Sequence, residues 1–179
     1  MTSTIKIAQL STEALASGFF QETSGDWRSE RRYCTLKSGK VEEVVSSISI
    51  RFLAKESPEL IELAKMHELA DETTLACGSE VIWESNYSEP GRKPVTGSTV
   101  FGVSGDILYR DRGFATSKPV TAEFYLRDPK IMHLRTEYSG SVFEEEIKLI
   151  GSSYRTRQSI ISRAGEEIMI GQYLEKRVS

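Results

Sequence analysis

The feature that most constrains this fold is a succession of short segments in which apolar and polar residues alternate, each followed by residues that favour turns. Alternation with period two is typical of half-buried strands, and short turns favour antiparallel pairing of consecutive strands. Ten such strands hide their edges most simply by closing on themselves, so we predict an all-β chain forming an antiparallel up-and-down β-barrel. The predicted strands cover residues 26–36, 42–53, 73–86, 97–109, 112–116, 120–127, 131–138, 142–150, 154–163 and 166–177.

Two helices are expected to cover one opening or one wall of the barrel. The first spans about residues 11–20, and the second about residues 58–70, where Ser57 can cap the helix and Pro58 suits its first position. Because 179 residues without a linker suit one core, we expect a single domain over residues 1–179.

Trp27 and Arg177 suggest how the barrel closes. Trp27 lies at the start of the first predicted strand, and Arg177 ends the last one. First and last strands meet in a closed barrel, so the guanidinium can lie over the indole in a cation–π contact that plugs one end. A core tryptophan is the alternative, and since both interpretations are structural, the pair supports a fold rather than an activity.

Composition narrows the function classes. The net charge of -3 gives no global attraction to nucleic acid or anionic lipid, and no segment approaches the roughly 20 apolar residues of a membrane span. We therefore expect a soluble protein without nucleic-acid or membrane partners.

The residues that usually carry metal or hydrolytic chemistry are few. Cys34 and Cys77 lack CxxC spacing, so free thiols are expected, and no metal site is predicted. His67 and His133 have no accompanying hydrolase motif, so both are interpreted as packing or surface residues.

Charged residues fall where a purely structural barrel would carry apolar side chains. If Trp27 points inward, the strand alternation also turns Arg31 inward. Arg155 and Arg157 share one face of their strand, about 7 Å apart, which suits two carboxylates of a ligand. Alternatively, they lie outside and pair with the glutamates at 144–146, and spacing alone favours this second interpretation. A β-bulge would exchange the faces.

Motifs spread along the chain resemble the S-type (CpcS/CpeS-like) phycobiliprotein lyases, and the opening Gly-x-Trp resembles that of calycin barrels. These motifs occur in the family's order at residues 25–31 (GDWRSER), 106–114 (DILYRDRGF), 117–119 (SKP), 136–138 (TEY), 143–145 (FEE), 154–157 (YRTR) and 175–177 (EKR).

The resemblance implies a lipocalin-like ten-stranded barrel in a cyanobacterial cytoplasm or plastid stroma. It implies a lyase that binds a linear tetrapyrrole (bilin) and attaches it to a cysteine of an apo-phycobiliprotein subunit. The bilin, phycocyanobilin or phycoerythrobilin, is then a substrate, and no permanently bound cofactor is expected. A homodimer and a heterodimer with a related lyase subunit both stay open.

The same resemblance assigns roles to particular residues. Arg155 and Arg157 would hold the bilin propionates, Arg31 would join the lining, and Trp83, which is otherwise a core residue, would pack on the pigment.

Two glutamates match the catalytic positions of the family. Glu145 and Glu175 would lie near the pyrrole nitrogens and favour their protonation, which prepares the ring A ethylidene group for attack by a thiolate.

Departures from the family pattern leave other functions open. Cys34, Thr35 and Lys148 stand where the family commonly has histidine or aromatic residues. They are compatible with a partner subunit of a heterodimeric lyase that binds bilin weakly alone. A carrier of another hydrophobic ligand and a noncatalytic assembly factor are the further alternatives.

Overall fold

The computed structural model describes the backbone of residues 2–179 and the side chains from residue 12 onward. Its ten strands form one closed barrel in which all neighbours are antiparallel, so the predicted fold class is confirmed. The elements are α1 (Thr2–Thr23), β1 (Gly25–Thr35), β2 (Val41–Ala54), α2 (Pro58–Met66), β3 (Cys77–Tyr87), β4 (Val95–Ser104), β5 (Ile107–Arg110), β6 (Val120–Asp128), β7 (Ile131–Tyr138), β8 (Ser141–Ile150), β9 (Tyr154–Arg163) and β10 (Glu166–Arg177).

Two of the predicted strands are wrong, although the total is right. The strand predicted over 97–109 is two strands, because Gly105 has a φ of 62° and opens a two-residue turn that pairs Ser104 with Ile107. The strand predicted over 112–116 is part of the loop between β5 and β6. Ser104, Gly105 and Asp106 interrupt the alternation and favour a turn, a signal that the prediction of one long strand did not use.

The helices differ from their predicted bounds for local reasons. Helix α1 begins at Thr2, nine residues before its predicted start, and runs on to Thr23, three residues beyond its predicted end. Helix α2 stops at Met66, where the His67 N–H donates to the Leu63 carbonyl and Glu68 takes a left-handed φ of 55°. No helix in the described part of the chain has the length and hydropathy of a membrane span.

The predicted contact between the first and last strands is present. Trp27 pairs with Arg177 in the β1–β10 register, and the Arg177 guanidinium carbon lies 4.3 Å from the centre of the indole ring. Arg177 also donates to the carbonyls of Glu22 and Ser24 at the end of α1, while the Trp27 indole N–H donates to the Thr23 carbonyl at 2.8 Å. These bonds fix the end of α1 against the barrel.

The strand order gives the barrel two different ends. The closed end is covered by α1, whose Ala16, Phe19 and Phe20 are buried. The opposite end, which we call the mouth, is bounded by the connections at residues 36–40, 88–94, 111–119, 139–140 and 164–165.

Helix α2 packs outside the barrel against β4. Leu60 fits between two strand glycines, because a Cβ atom at either Gly78 or Gly102 would lie 2.8 Å from its Cδ2 atom. Leu60 belongs to a cluster of buried apolar residues, with Leu63 and Ala64 of the same helix, that is separate from the apolar residues inside the barrel. Helix α2 therefore packs on the outer face of the wall and does not fill the interior.

Candidate ligand cavity

A cavity of about 240 Å³ lies inside the barrel and reaches from Phe19 and Phe20 on α1 to the mouth loop at 111–119. Its lining includes the side chains of five arginines, and no aspartate or glutamate lines it in the part of the chain with described side chains. The arginines are Arg31, Arg110, Arg112, Arg155 and Arg157.

One side of the cavity, the apolar wall, is formed by Ile48, Ile50, Val81, Trp83 and Phe101 of strands β2 to β4. The Trp83 ring lies against the backbone of Gly97, where any Cβ atom would come within 2.4 Å of the ring. A glycine is therefore required at residue 97 for the Trp83 indole to occupy this position.

The adjoining side, the cationic wall, is formed by Arg31, Arg155, Arg157 and Tyr173 on β1, β9 and β10, and its strand β1 pairs with β2 of the apolar wall. The Arg155 Nε donates to Glu175 Oε1 at 2.8 Å, and both side chains are buried. The Arg155 guanidinium also lies 5.1 Å from the centre of the Trp27 ring. Arg155 is thus held by the Glu175 carboxylate on β10 and by the Trp27 indole on β1.

Arg157 is held by a second carboxylate on β8. Its Nε donates to Glu145 Oε2 at 2.9 Å, and its Nη2 donates to the same oxygen. The other oxygen of Glu145 lies 4.0 Å from Arg110 Nη2. Glu145 is therefore shared between two guanidinium groups that enter the cavity from different strands.

Tyr173 separates two of the arginines. The guanidinium carbons of Arg31 and Arg157 lie 5.2 and 5.3 Å from the centre of its ring. Arg31 also donates from Nε to Ser29 Oγ at 3.1 Å, and no carboxylate pairs with it among the described side chains. The phenol ring thus spaces two cations that would otherwise repel each other.

The pKa shifts in this wall have two opposing causes. Burial alone would raise the pKa values of Glu145 and Glu175, but the neighbouring guanidinium groups, chiefly Arg157 and Arg155, lower both below the ordinary value of 4.5. Burial lowers the pKa of Arg155 despite Glu175. Burial also opposes the charge of Arg157, but Glu145, Tyr173 and Glu175 together raise the pKa of Arg157. The two carboxylates are therefore ionised near neutral pH.

The interior carries an excess of positive charge. Four buried or half-buried guanidinium groups, of Arg31, Arg110, Arg155 and Arg157, form ion pairs only with Glu145 and Glu175 among the described side chains, so two more cations than paired carboxylates lie in the described interior. Asp111 at the mouth acts on Arg110 through its charge without such a pair. In addition, Glu145 Oε1 and Glu175 Oε2 are buried and accept no hydrogen bond there. Uncompensated cations and unused acceptor oxygens are expensive in a protein interior unless a ligand uses them.

The structure brings most of the predicted site residues together. Arg31, Trp83, Arg155 and Arg157 all line the cavity. The two β9 arginines both face inward, so the alternative that they lie outside is wrong, although Arg157 does pair with Glu145, one of the glutamates at 144–146.

Glu145 and Glu175 lie behind these arginines, outside the cavity lining. Trp27 and Arg177 lie at the closed end.

Sequence reasoning missed Arg110, Tyr173 and Phe114. Tyr173 could have been found, because it lies two residues before Glu175 and shares its inward face. Arg110 and Phe114 could be placed at the cavity only if the β4–β5 turn was known, and that turn was not predicted. Phe114 stacks on Phe143 with ring centres 4.7 Å apart and forms part of the mouth.

The cysteines and histidines of the described chain do not line the cavity. Cys34 and Cys77 are both free, and burial raises the pKa of Cys77 to about 12. His67 contacts the Arg110 carbonyl at 2.9 Å, and His133 stacks on Tyr125 outside the barrel. No group of three or more potential metal ligands occurs in the described part of the chain.

Known proteins with similar sequences cover nearly the whole chain. The family described as CpeS-like protein matches residues 16–178. A protein of Nostoc sp., assigned as a phycocyanobilin lyase and named CpcS 2, is 56% identical over 178 residues and covers 99% of each chain. A phycocyanobilin lyase subunit, CpcS, of Picosynechococcus sp. is 31% identical over 158 residues, which span 84% of this chain and 79% of that one.

A solved structure has the same fold. The S-type phycobiliprotein lyase CPES of Guillardia theta superimposes with a TM-score of 0.78 over 97% of both chains, at 24% sequence identity.

Proposed function

We propose that this chain, which belongs to the CpeS-like protein family, binds a linear tetrapyrrole and catalyses its attachment through a thioether bond to a cysteine of a phycobiliprotein subunit. The observation that carries this proposal is a cavity that is lined by five arginines and, among the described side chains, by no carboxylate, with an apolar wall beside the arginines. Such a lining matches an anionic ligand with a large apolar body.

A bilin has the required chemistry. Its four linked rings are largely apolar, its two propionates carry two negative charges, and its pyrrole nitrogens donate hydrogen bonds. Two propionates would neutralise the two uncompensated cations of the interior. We assign them to the cationic wall, with Arg155 and Arg157 as anchors and Arg31 beside them, and we assign the packing surface to Trp83.

Glu145 and Glu175 would act after an exchange of partners. When propionates take hydrogen bonds from the arginines, the carboxylates behind them become free to accept hydrogen bonds from pyrrole N–H groups. Each carboxylate already has one buried oxygen without a hydrogen-bond partner in the described structure. A carboxylate at the pyrroles stabilises their protonated form, which draws electron density from the ring A ethylidene group.

The bond-forming step needs no nucleophile from this chain. The acceptor thiol adds across the exocyclic carbon–carbon double bond of ring A, so that a C–S bond forms at one carbon, a proton is delivered to the other, and nothing leaves. Cys77 is unsuited to such a role because it is buried with a raised pKa. Catalysis then consists of holding the electrophilic carbon in one orientation where the partner's thiol arrives.

The cavity size supports a mechanism in which this chain holds the pigment and another protein supplies the thiol. Pockets that enclose drug-sized ligands usually measure about 300–1,000 Å³, whereas this cavity measures about 240 Å³. A tetrapyrrole would therefore extend to the mouth, within reach of another protein.

The first test is spectroscopic. The purified chain is mixed with phycocyanobilin, chosen because two relatives are named for it, and then with phycoerythrobilin. We expect stronger and red-shifted absorption, because the protein holds the pigment rigid and protonated. An unchanged spectrum with both pigments would favour a noncatalytic assembly factor.

The second test measures transfer. Apo-phycobiliprotein subunits are added singly to the pigment-loaded protein, and the covalent adduct is detected after denaturation. A carrier would bind pigment without accelerating adduct formation. Because one relative is named a lyase subunit, pigment binding without transfer calls for repeating the reaction with a second lyase chain present.

A further inference from the structure

Three neighbouring loops at the mouth carry side chains that pigment binding does not use. They connect β1 to β2, β3 to β4, and β5 to β6, which are consecutive pairs in the barrel order, so the loops occupy one continuous arc of the opening. We call this arc, made of residues 36–41, 88–95 and 111–119, the half-rim.

The half-rim is basic although the whole chain has a net charge of -3. It contains two acidic side chains and six basic ones, of which Arg112 also lines the cavity. Glu89 lies 3.8 Å from Arg92, which also pairs with Glu42 of β2, and Asp111 accepts a hydrogen bond from Thr99. Four exposed lysines of the half-rim form no ion pair among the described side chains; they are Lys37, Lys40, Lys93 and Lys118.

The rest of the mouth has the opposite character. The β7–β8 turn at 139–140 is uncharged, and the residues beside the β9–β10 turn are Arg163, Glu166 and Glu167, so this side carries one more acidic group than basic groups. Neither glutamate is in an ion pair within the part of the chain described. The opening is therefore polarised from one side to the other.

Exposed apolar side chains follow the same arc. Leu36, Val41, Val95 and Phe114 are 39–46% exposed, and they are the large apolar residues of the described mouth that reach this exposure. Phe114 joins the arc to the cavity, because it lies on the half-rim and also lines the interior. Apolar residues inside a charged border are the usual composition of a protein–protein interface.

We propose that the half-rim is the docking surface for the acceptor subunit, and that this subunit presents acidic side chains around an apolar patch beside its reactive cysteine. The inference rests on the proposed function. The charges point to an acidic partner, and the position points to a protein, since the half-rim borders the opening through which the bound substrate must meet a thiol. Complementary charge raises the association rate and fixes the orientation of the two proteins.

The pigment does not explain this surface. Its two negative charges are matched by the two uncompensated cations inside the barrel, so the unpaired lysines of the half-rim remain for another partner.

The experiment reverses charge on the half-rim. In Lys93→Glu/Lys118→Glu, two exposed and unpaired lysines change sign. A matched control, Lys55→Glu/Lys148→Glu, makes the same change of net charge at exposed positions away from the mouth. Adduct formation is measured against acceptor concentration at several NaCl concentrations.

We expect the half-rim variant to raise the apparent KM for the acceptor about tenfold at low salt, with kcat changed less than about twofold. The difference from wild type should shrink as NaCl screens the charges. The control and the pigment spectra should stay at wild-type values. An equal effect in the control, or none in the half-rim variant, overturns the proposal.

Two further measurements separate the alternatives. Association with the apo-subunit is measured without pigment, so the docking surface is tested even if the chain binds no bilin and the proposed function fails. Binding to phosphatidylglycerol vesicles is measured in parallel. If the half-rim variant loses vesicle binding but associates normally with the subunit, the half-rim binds lipid and the proposal is overturned. A loss confined to pigment binding in this variant would also overturn the proposal.

Discussion

The apolar wall and the cationic wall enclose the same cavity but are stabilised in different ways. The apolar wall consists of side chains whose burial is itself favourable, such as Ile48 and Ile50. The cationic wall buries Arg155, Glu145 and Glu175, whose removal from water is costly. Its ion pairs recover much of that cost without making the wall a source of net stability.

This difference shows where function has shaped the interior. Replacement of a buried ion pair by apolar residues is often neutral or stabilising, so a purely structural barrel has no need of one. The cationic wall instead keeps guanidinium groups ordered and ionised at a surface that meets the ligand. Preorganised charge of this kind binds an anion with little further reorganisation.

The largest expected effect comes from removing one half of an ion pair. Glu175→Leu leaves the Arg155 guanidinium buried without its carboxylate and should reduce the free energy of unfolding by about 3–5 kcal/mol. The double variant Arg155→Met/Glu175→Leu should recover most of this loss while losing pigment binding. Urea denaturation measures the first effect and the visible spectrum the second. On the apolar wall, Ile50→Val should cost only about 0.5–1.5 kcal/mol.

A double variant no more stable than Glu175→Leu would contradict this account of the cationic wall.

The same pair predicts a loss of stability in acid. Burial alone would raise the pKa of Glu175, but the opposing effect of the neighbouring guanidinium groups, chiefly Arg155, is larger. The pKa of Glu175 in the folded state is therefore below the ordinary value of 4.5. Stabilisation is thus complete above the ordinary pKa and is lost as pH falls through the lowered one. Urea midpoints recorded from neutral pH downward should fall less steeply for Arg155→Met/Glu175→Leu than for wild type. Parallel profiles would show that the pair has no such linkage.

A conservative change separates binding from transfer. Glu175→Gln keeps an oxygen that can accept the Arg155 hydrogen bond but removes the negative charge near the pyrroles. Pigment should be retained, while adduct formation should slow on the order of a hundredfold. Glu144→Gln, on the exposed face of β8, is the control and should transfer at the wild-type rate.

Loss of a propionate anchor should affect retention instead. Arg157→Ala removes a charge-assisted hydrogen bond worth about 1.5–2 kcal/mol, so pigment affinity should fall roughly tenfold to thirtyfold. Arg157→Lys restores the charge without the planar fork and should lie between the two. Titration of absorbance measures all three proteins. Equal loss of retention and transfer in both Arg157→Ala and Glu175→Gln would mean that the two roles are misassigned.

The barrel and its inward faces could be predicted because strand alternation and turn residues are local signals. The pairing of Trp27 with Arg177 followed from closure alone. What failed was also local: the turn residues Ser104, Gly105 and Asp106 were included in one long strand, so the β5 segment and with it Arg110 were not located.

The pairing of Glu175 with Arg155 in the cationic wall could not be predicted from the sequence, for a different reason. A register shift between Glu167 and Met169 displaces β10 against β9 by one residue, and it brings Glu175 opposite Arg155. Continuing the register of the Glu166–Arg163 pair would instead place Leu174 opposite Arg155. Neither composition nor alternation reveals a bulge of this kind, so Glu175 was predicted near the pigment but not as the partner of Arg155. Pairing of the β9 arginines with the glutamates at 144–146 was predicted only for arginines outside the barrel.

The smallest expected effect concerns the ring that spaces the cations. Tyr173→Leu removes two cation–π contacts worth about 0.5–1 kcal/mol each, and pigment affinity should fall about threefold to tenfold as Arg31 and Arg157 lose their fixed separation. Tyr173→Phe keeps the ring and removes only a hydroxyl group that lies 3.4 Å from Ser159 Oγ. It should therefore bind within about twofold of wild type. If the Phe variant is as impaired as the Leu variant, the hydroxyl group rather than the ring organises the cationic wall.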